Sequence, residues 1–271
     1  MAAPYCKSCN LDHGPAHLVV EGATVFYAER AALENVSFCV PVGTKVAVIG
    51  PNGAGKSTLF KALVGLLTLQ KGSILIHGLP VGHHNDCVAY VPQREEVDWH
   101  FPVTVSDVVM MGRYGRLGWL KRPGKEDREA VAGCLEKLGI VDLGSLPIDS
   151  LSGGQQQRVF LARALVQEPH IVLMDEPFTG VDISTQEATL ALFDQLKEQN
   201  VTVLISTHDL SLAASHFDEV LLLNHRLIAC GPPHEALTSQ TITEAFGGQV
   251  LVLNGAVVVD KAAHKATSYK G

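Results

Sequence analysis

Apolar positions along the chain follow two rhythms. Short apolar or alternating runs at 17–27, 32–40, 44–49, 72–76 and 87–91 predict strands, as do 171–174, 201–206 and 219–223. A three-to-four residue spacing, with Leu59, Leu63 and Leu66 on one face, predicts a helix over 57–67. The same period predicts helices over 105–111, 125–138, 155–166, 184–198 and 211–216. Strands alternating with helices imply a parallel sheet covered on both faces. From 93 to 150 the strand signals lapse. Helical spacing there is broken by Gly115, Gly118, Pro123 and Gly139, which reads as a mostly helical insert. Segment 226–260 predicts short strands and one helix around 233–238.

This pattern divides the chain into a polar, irregular N-terminal tail (1–16), expected to be flexible, and an α/β core (17–92 and 151–225). The helical subdomain (93–150) interrupts the core, and a C-terminal extension (226–271) follows it. A length of 271 residues, 46% of them apolar, suits a core with a smaller insert. The net charge of −7 makes the chain a poor candidate for sequence-independent nucleic-acid binding. The stretch 245–259 lacks Asp, Glu, Lys, Arg and His, but is shorter than the ~18 residues a spanning helix needs. With Gly247, Gly248, Gln249, Asn254 and Gly255, it reads as a β-hairpin. The opening MAAPYCKSCNLDHG has no apolar signal-peptide region, so a cytoplasmic location is expected. Cys6, Cys9, Cys39, Cys87, Cys134 and Cys230 are then expected as thiols.

Residues 50–57 read GPNGAGKS, which fits G-x-x-x-x-G-K-[ST] between a predicted strand and a predicted helix. Gly50, Gly53 and Gly55 let the backbone wrap closely, with the amides of Pro51–Thr58's loop, Asn52 and Ala54 among them, free to face phosphate oxygens. The helix N-terminus adds a favourable dipole. Lys56 supplies a cation for the β- and γ-phosphates, Ser57 a hydroxyl for Mg²⁺, and Thr58 a hydroxyl for the α-phosphate. Further on, 171–176 reads IVLMDE, an apolar strand ending in two carboxylates, where ligands bind in open parallel sheets. Asp175 suits a Mg²⁺-holding acid, and Glu176 suits a base that orients and deprotonates an attacking water.

Between these two motifs, 151–155 reads LSGGQ, followed by QQRVFLARAL. This resembles the signature sequence of ABC-type ATPases. Other elements resembling that family follow in order: Gln93 in VPQ at the Q-loop, Val181 and Asp182 at the D-loop (Val where Leu is commoner), His208 in STHDL at the switch histidine, and Tyr27 at the adenine-stacking position. The resemblance runs from Leu18 to Ala236. It implies a P-loop NTPase core with an antiparallel β region and an inserted helical subdomain, and ATP hydrolysis with Mg²⁺. Glu176, His208 and Gln93 would be catalytic, and Ser57, Gln93 and Asp175 would hold the metal.

The resemblance also implies partners. Ser152, Gly153, Gly154 and Gln155 start a helix with donors free for an anion. In the family that anion is the γ-phosphate bound to a second copy, so two chains would close head-to-tail around two ATP molecules, with Asp182 coupling the sites. The helical insert would dock on a separate integral membrane permease at the cytoplasmic face of the cell membrane. The run VPQREEVDWHFPVTVSDVVMMGRYGRLGWLKRP resembles ATPases of metal importers, manganese first, then zinc or iron, which work with an extracytoplasmic metal-binding protein. The same nucleotide motifs fit a siderophore, haem or cobalamin importer, an efflux ATPase, or a soluble non-transport ABC protein.

Two clusters carry a functional and a structural reading side by side. Trp99, His100 and Phe101 suit either docking of a permease helix or packing of the insert. Cys6, Cys9, His13 and His17 have the ligand types of a zinc site, against a plain tail with His17 already in the first strand. His83 and His84 read as surface.

Overall fold

The computed structural model describes residues 16–82, 87–97, 99, 101–117, 122–247, 250–253 and 256–259. The chain opens with β1 (Ala16–Tyr27) and β2 (Arg30–Pro41), then runs through β3 (Lys45–Ile49) into α1 (Lys56–Leu63). β4 (Lys71–Ile76), β5 (Leu79–Pro80) and β6 (Val88–Val91) follow. A helical stretch comes next: α2 (Val105–Met111), α3 (Tyr114–Leu117), α4 (Lys125–Lys137) and α5 (Gly153–Leu165). β7 (Ile171–Met174), α6 (Ile183–Glu198), β8 (Thr202–Thr207), α7 (Leu210–His216) and β9 (Glu219–Asn224) complete the alternating portion. β10 (Arg226–Gly231), α8 (Pro233–Ala236), α9 (Ser239–Phe246), β11 (Val250–Leu253) and β12 (Ala256–Val259) end it.

Among the described residues these strands form a six-stranded sheet, order β10-β9-β3-β8-β7-β6, and an antiparallel sheet, order β2-β1-β4-β5. The six-stranded sheet is parallel from β9 to β6, with β10 antiparallel at its edge. Its side chains alternate between two cores, as a period of two requires. Val46, Val48, Leu173 and Leu204 face a core shared with the antiparallel sheet (Leu18, Val20, Phe38) and with Leu59, Phe60 and Leu63 of α1. Ala47, Ile49, Val172 and Ile205 face the other core, with Val109 of α2, Val159 of α5 and Phe193 of α6. The expected α/β architecture, with its antiparallel β region and helical portion, is therefore present. No described helix is long and apolar enough to cross a membrane.

Three expectations need correction. The helix predicted over 57–67 ends at Leu63, because Gly65 turns left-handed at φ 74° and the Leu66 and Leu67 amides both donate to Lys61 O. Leu66 is exposed rather than on the buried face. The extension has two helices instead of one. α9 is capped by Thr238, whose hydroxyl accepts the Thr241 amide at 3.2 Å, and it buries Ile242 and Ala245. Residues 245 and 246 thus belong to a helix, and the hairpin is confined to β11 and β12, with Val250 opposite Val259. The segment read as turns around Gly115 contains the one-turn helix α3.

Cys39, Cys87, Cys134 and Cys230 are in no disulfide, as expected of thiols. Cys6, Cys9, His13, His83, His84 and His100 lie outside the described residues. His17 is fully buried in β1. Burial, then His77 and His170, push its pKa down to about 4.

Candidate active site

The phosphate-loop motif leaves β3, all five of whose residues are buried, and enters α1. Two of its glycines are dictated by close packing. A Cβ on Gly50 would lie 2.1 Å from Leu223 O. Gly55 has φ 99°, and a Cβ there would lie 2.5 Å from Ala32 O. The loop is therefore pressed against β9 and β2. The His225 amide also donates to Ala54 O at 2.8 Å. Lys56 is buried, and its ammonium donates to Gly50 O at 2.8 Å and Pro51 O at 3.0 Å. Burial pulls its pKa below the usual lysine value, while Glu176 and Asp175 act in the opposite direction.

Tyr27, Asn52, Gly53, Ala54, Gly55, Lys56, Ser57, Thr58, Gln93 and Glu176 line one cleft of about 720 Å³. Gly50 and Pro51 do not line it; their carbonyls accept the Lys56 ammonium. Arg30, Ala31, Ala32 and His225 also line the cleft, and sequence reasoning did not find them. They sit in a hairpin and a strand connection that carry no motif. Tyr27, at the end of β1, is half exposed, with its ring available to the cleft.

β7 delivers the two carboxylates. Asp175 is buried, and one of its oxygens accepts the hydroxyl of Ser206. Its other oxygen, Oδ2, is buried with no hydrogen-bond partner among the described residues. An orphaned buried carboxylate oxygen is costly unless something positive meets it. Asp175 lines the neighbouring pocket with Glu176 rather than the cleft that Ser57 and Gln93 line; the three residues offer oxygen donors, the type a hard divalent cation takes. The Ser206 hydroxyl also accepts the Glu176 amide at 2.8 Å. Glu176 adopts φ 47°, a sparsely populated conformation for a side-chain-bearing residue. Its Oε2 accepts the Thr179 hydroxyl at 3.2 Å and lies 4.0 Å from His208 Nδ1. His208 follows β8 and is exposed. Ser206 is a further residue the sequence reading missed. Its signal was weak, a serine beside Thr207 at the end of a buried strand that also begins with Thr202.

Residues 152–155 do not line this cleft. Ser152 caps α5. Its hydroxyl accepts the Gln155 amide at 3.4 Å, and its own amide donates to the Gln155 side chain at 2.9 Å. Gly153 lies beside the Arg94 guanidinium, and a Cβ on Gly154 would meet Thr185 Oγ1 at 3.4 Å. Asp182 caps α6 by accepting from Ser184, the Thr185 amide and the Thr185 hydroxyl, which hold its carboxyl well below the usual range. The aromatic cluster divides. Trp99 donates to Arg94 O at 2.9 Å and packs on Phe160, with ring centroids 5.0 Å apart, whereas Phe101 is exposed.

Residues 33–179 match the family model for ABC transporters. The chain belongs to the ABC transporter family. It is 48% identical over 231 residues to a zinc transport system ATP-binding protein of Treponema pallidum, covering 85% of this chain and 87% of that one. It is 46% identical over 241 residues to a manganese transport system ATP-binding protein of Bacillus subtilis, covering 89% and 96%. Manganese recurs in the names of further relatives at 39–46% identity. Among solved structures, the ADP conformation of an ATP-binding cassette of an ABC transporter superimposes with a TM-score of 0.74. It has 25% identity and covers 85% of this chain and 96% of that one. As a member of the ABC transporter family, this chain is an ATP-binding protein.

Proposed function

We propose that this chain hydrolyses ATP with Mg²⁺ as the motor subunit of a transition-metal importer, with manganese the leading substrate and zinc or iron next. The observation that carries this is the 46% identity across almost the whole length of a manganese-system ATP-binding protein. The single cleft containing Lys56, Gln93 and Glu176 supports the nucleotide chemistry.

Tyr27 stacks on the adenine, and the N–H groups of the 50–58 loop (Pro51 has none) with the Lys56 ammonium cradle the phosphates. Ser57, Gln93 and Asp175 hold Mg²⁺, which when bound offsets charge on the phosphate oxygens. Glu176 accepts a proton from the attacking water as the new oxygen–phosphorus bond forms and the bond to ADP breaks. His208, beside Glu176, orients that water and the γ-phosphate.

Ser152, Gly153, Gly154 and Gln155, with Asp182, serve the nucleotide of a second copy in a head-to-tail homodimer. Their place outside this chain's own cleft supports that assignment. The helical portion docks on an integral membrane permease at the cytoplasmic face, and an extracytoplasmic metal-binding protein supplies the ion. Phe101, exposed ahead of α2, supports docking there.

The test is tracer accumulation of manganese, zinc and iron in cells that carry either the native chain or Glu176→Gln as their sole copy. Selective loss of manganese uptake in the variant is expected. Unchanged uptake of all three ions, with the variant stably expressed, removes the importer reading, and raised accumulation indicates efflux.

A further inference from the structure

Three histidines meet at the end of the parallel strands opposite the nucleotide cleft. His17 comes from β1, His77 from the turn between β4 and β5, and His170 from the residue before β7. Asp175 follows the far end of β7, about 16 Å away at ~3.3 Å per residue. Backbone hydrogen bonds fix each histidine in place. The His77 amide donates to His17 O at 3.0 Å, the His170 amide to Cys87 O at 2.8 Å, and the Thr202 amide to His170 O at 2.9 Å. His77 and Gly78 both have positive φ, 51° and 78°, as a two-residue hairpin turn requires. Asn is the economical residue at the first of these positions, and here it is an imidazole.

The rings converge as well. His17 Nε2 lies 3.0 Å from His77 Nε2, which lies 2.9 Å from His170 Nδ1. One ring nitrogen of each residue is within 4.8 Å of those of the other two. The tautomer of His17 follows from its surroundings. The Thr202 hydroxyl accepts the Gly43 amide at 3.0 Å and donates to Pro41 O at 3.3 Å. With its one hydrogen on Pro41 O, it accepts from His17 Nδ1, 2.8 Å away. That places the hydrogen on Nδ1 and leaves Nε2 as a buried lone pair aimed at the other two rings. A hydrogen on His77 Nε2 can point well at one neighbour only, so protons alone satisfy this triangle poorly.

We propose that His17, His77 and His170 form a binding site for a borderline divalent cation of the zinc class. Imidazole nitrogens suit zinc, copper and nickel, whereas manganese prefers oxygen. Three protein ligands with water in the fourth position form an open tetrahedral site. Thr202 orients His17 as an outer-shell partner. Metal–nitrogen bonds of about 2.0–2.1 Å require the paired nitrogens to separate by only a few tenths of an ångström. His77 and His170 are exposed and able to give that much. The bound ion would join the antiparallel sheet to the end of an inner strand of the parallel one. This site shares no residue with the nucleotide cleft and stands whether or not the chain powers metal import.

The experiment compares metal-free full-length chain with His77→Asn and His170→Gln, titrating zinc against a chromogenic chelator and following thermal melting by circular dichroism. His77→Asn keeps a residue that tolerates the left-handed turn, so it retains the fold. The native chain is expected to bind one zinc more than either variant, and zinc to raise its melting temperature by about 5 °C more. Counting the difference between chains removes any contribution from the N-terminal cysteines. Equal zinc stoichiometry and equal melting shifts in all three folded proteins overturn the site. Manganese stabilising the native chain over the variants as strongly as zinc does overturns the assignment of cation class.

Discussion

Glu176 Oε2 lies 4.0 Å from His208 Nδ1, across the gap between the ends of two adjacent parallel strands. In the proposed mechanism both groups act on one water. Glu176→Gln and His208→Ala should each lower the turnover rate by about 10²–10⁴-fold. The double variant should lose little more than the worse single, because residues acting as a unit are not additive. Phosphate release together with equilibrium ATP binding checks this. Additive losses, or loss of ATP binding in Glu176→Gln, would remove the shared role.

Ser206 holds both members of the acidic pair, donating to the Asp175 side chain and accepting the Glu176 amide. Ser206→Ala leaves Asp175 with neither oxygen bonded to protein and leaves a backbone amide unsatisfied. A loss of about 1–3 kcal/mol in stability is expected, along with a higher Mg²⁺ requirement for ATPase activity. Urea unfolding and a Mg²⁺ titration measure the two effects separately. A variant unchanged in both would show that the Ser206 contacts are incidental.

The loop glycines differ in what constrains them. Gly55 combines φ 99° with a carbonyl in the path of any Cβ, whereas Gly53, at φ 82°, has nothing within 4 Å. Gly53→Ala should cost only backbone strain, about 1–2 kcal/mol. Gly55→Ala should cost more and displace Ala32, abolishing nucleotide binding. Thermal melts with and without ATP distinguish them, and equal effects at the two positions would contradict the packing described.

Arg113 ties the helical portion together. Its Nε donates to Asp127 at 3.0 Å, and its Nη1 donates to Val166 O at 3.1 Å and to Glu168 at 3.3 Å. It thus connects the end of α2 to the start of α4 and the residues after α5. Arg113→Ala should destabilise the chain by about 2 kcal/mol, and Arg113→Lys should recover only part of this, lacking the planar fork. Denaturant unfolding of the three chains decides it. Full rescue by lysine would show that charge alone matters.

The buried strands were legible because their side chains had to satisfy two apolar layers at once. IVLM and KVAVI leave no alternative to a sheet covered on both faces. The phosphate loop was legible because two of its motif glycines, Gly50 and Gly55, stand where any larger residue would strike β9 or β2. What escaped notice lacks such local necessity. α9 is a short helix whose cap is an ordinary threonine. Arg30 and His225 reach the cleft only because a hairpin and a strand connection fold over it. Ser206 gains its meaning from two residues thirty positions earlier. The histidine triangle was invisible for the same reason. His17 is tied to the cysteines by proximity along the chain, whereas its ring faces residues on two other elements. Its sequence neighbours Cys6, Cys9 and His13 lie outside the described residues.

The hydrogen bond between His17 and Thr202 joins residues 185 positions apart. β3, which launches the phosphate loop, likewise finds both its sheet neighbours, β8 and β9, only near the far end of the chain. On a ribosome adding about 5–20 residues per second, the first strand waits roughly 10–40 s for Thr202 to be made. Through that interval the antiparallel strands can pair among themselves, but β3 is an apolar ribbon with two open edges. The nascent chain therefore spends most of its synthesis sticky and unfinished. Its need for a holding chaperone should end abruptly once β9, the second of the two neighbours, clears the exit tunnel.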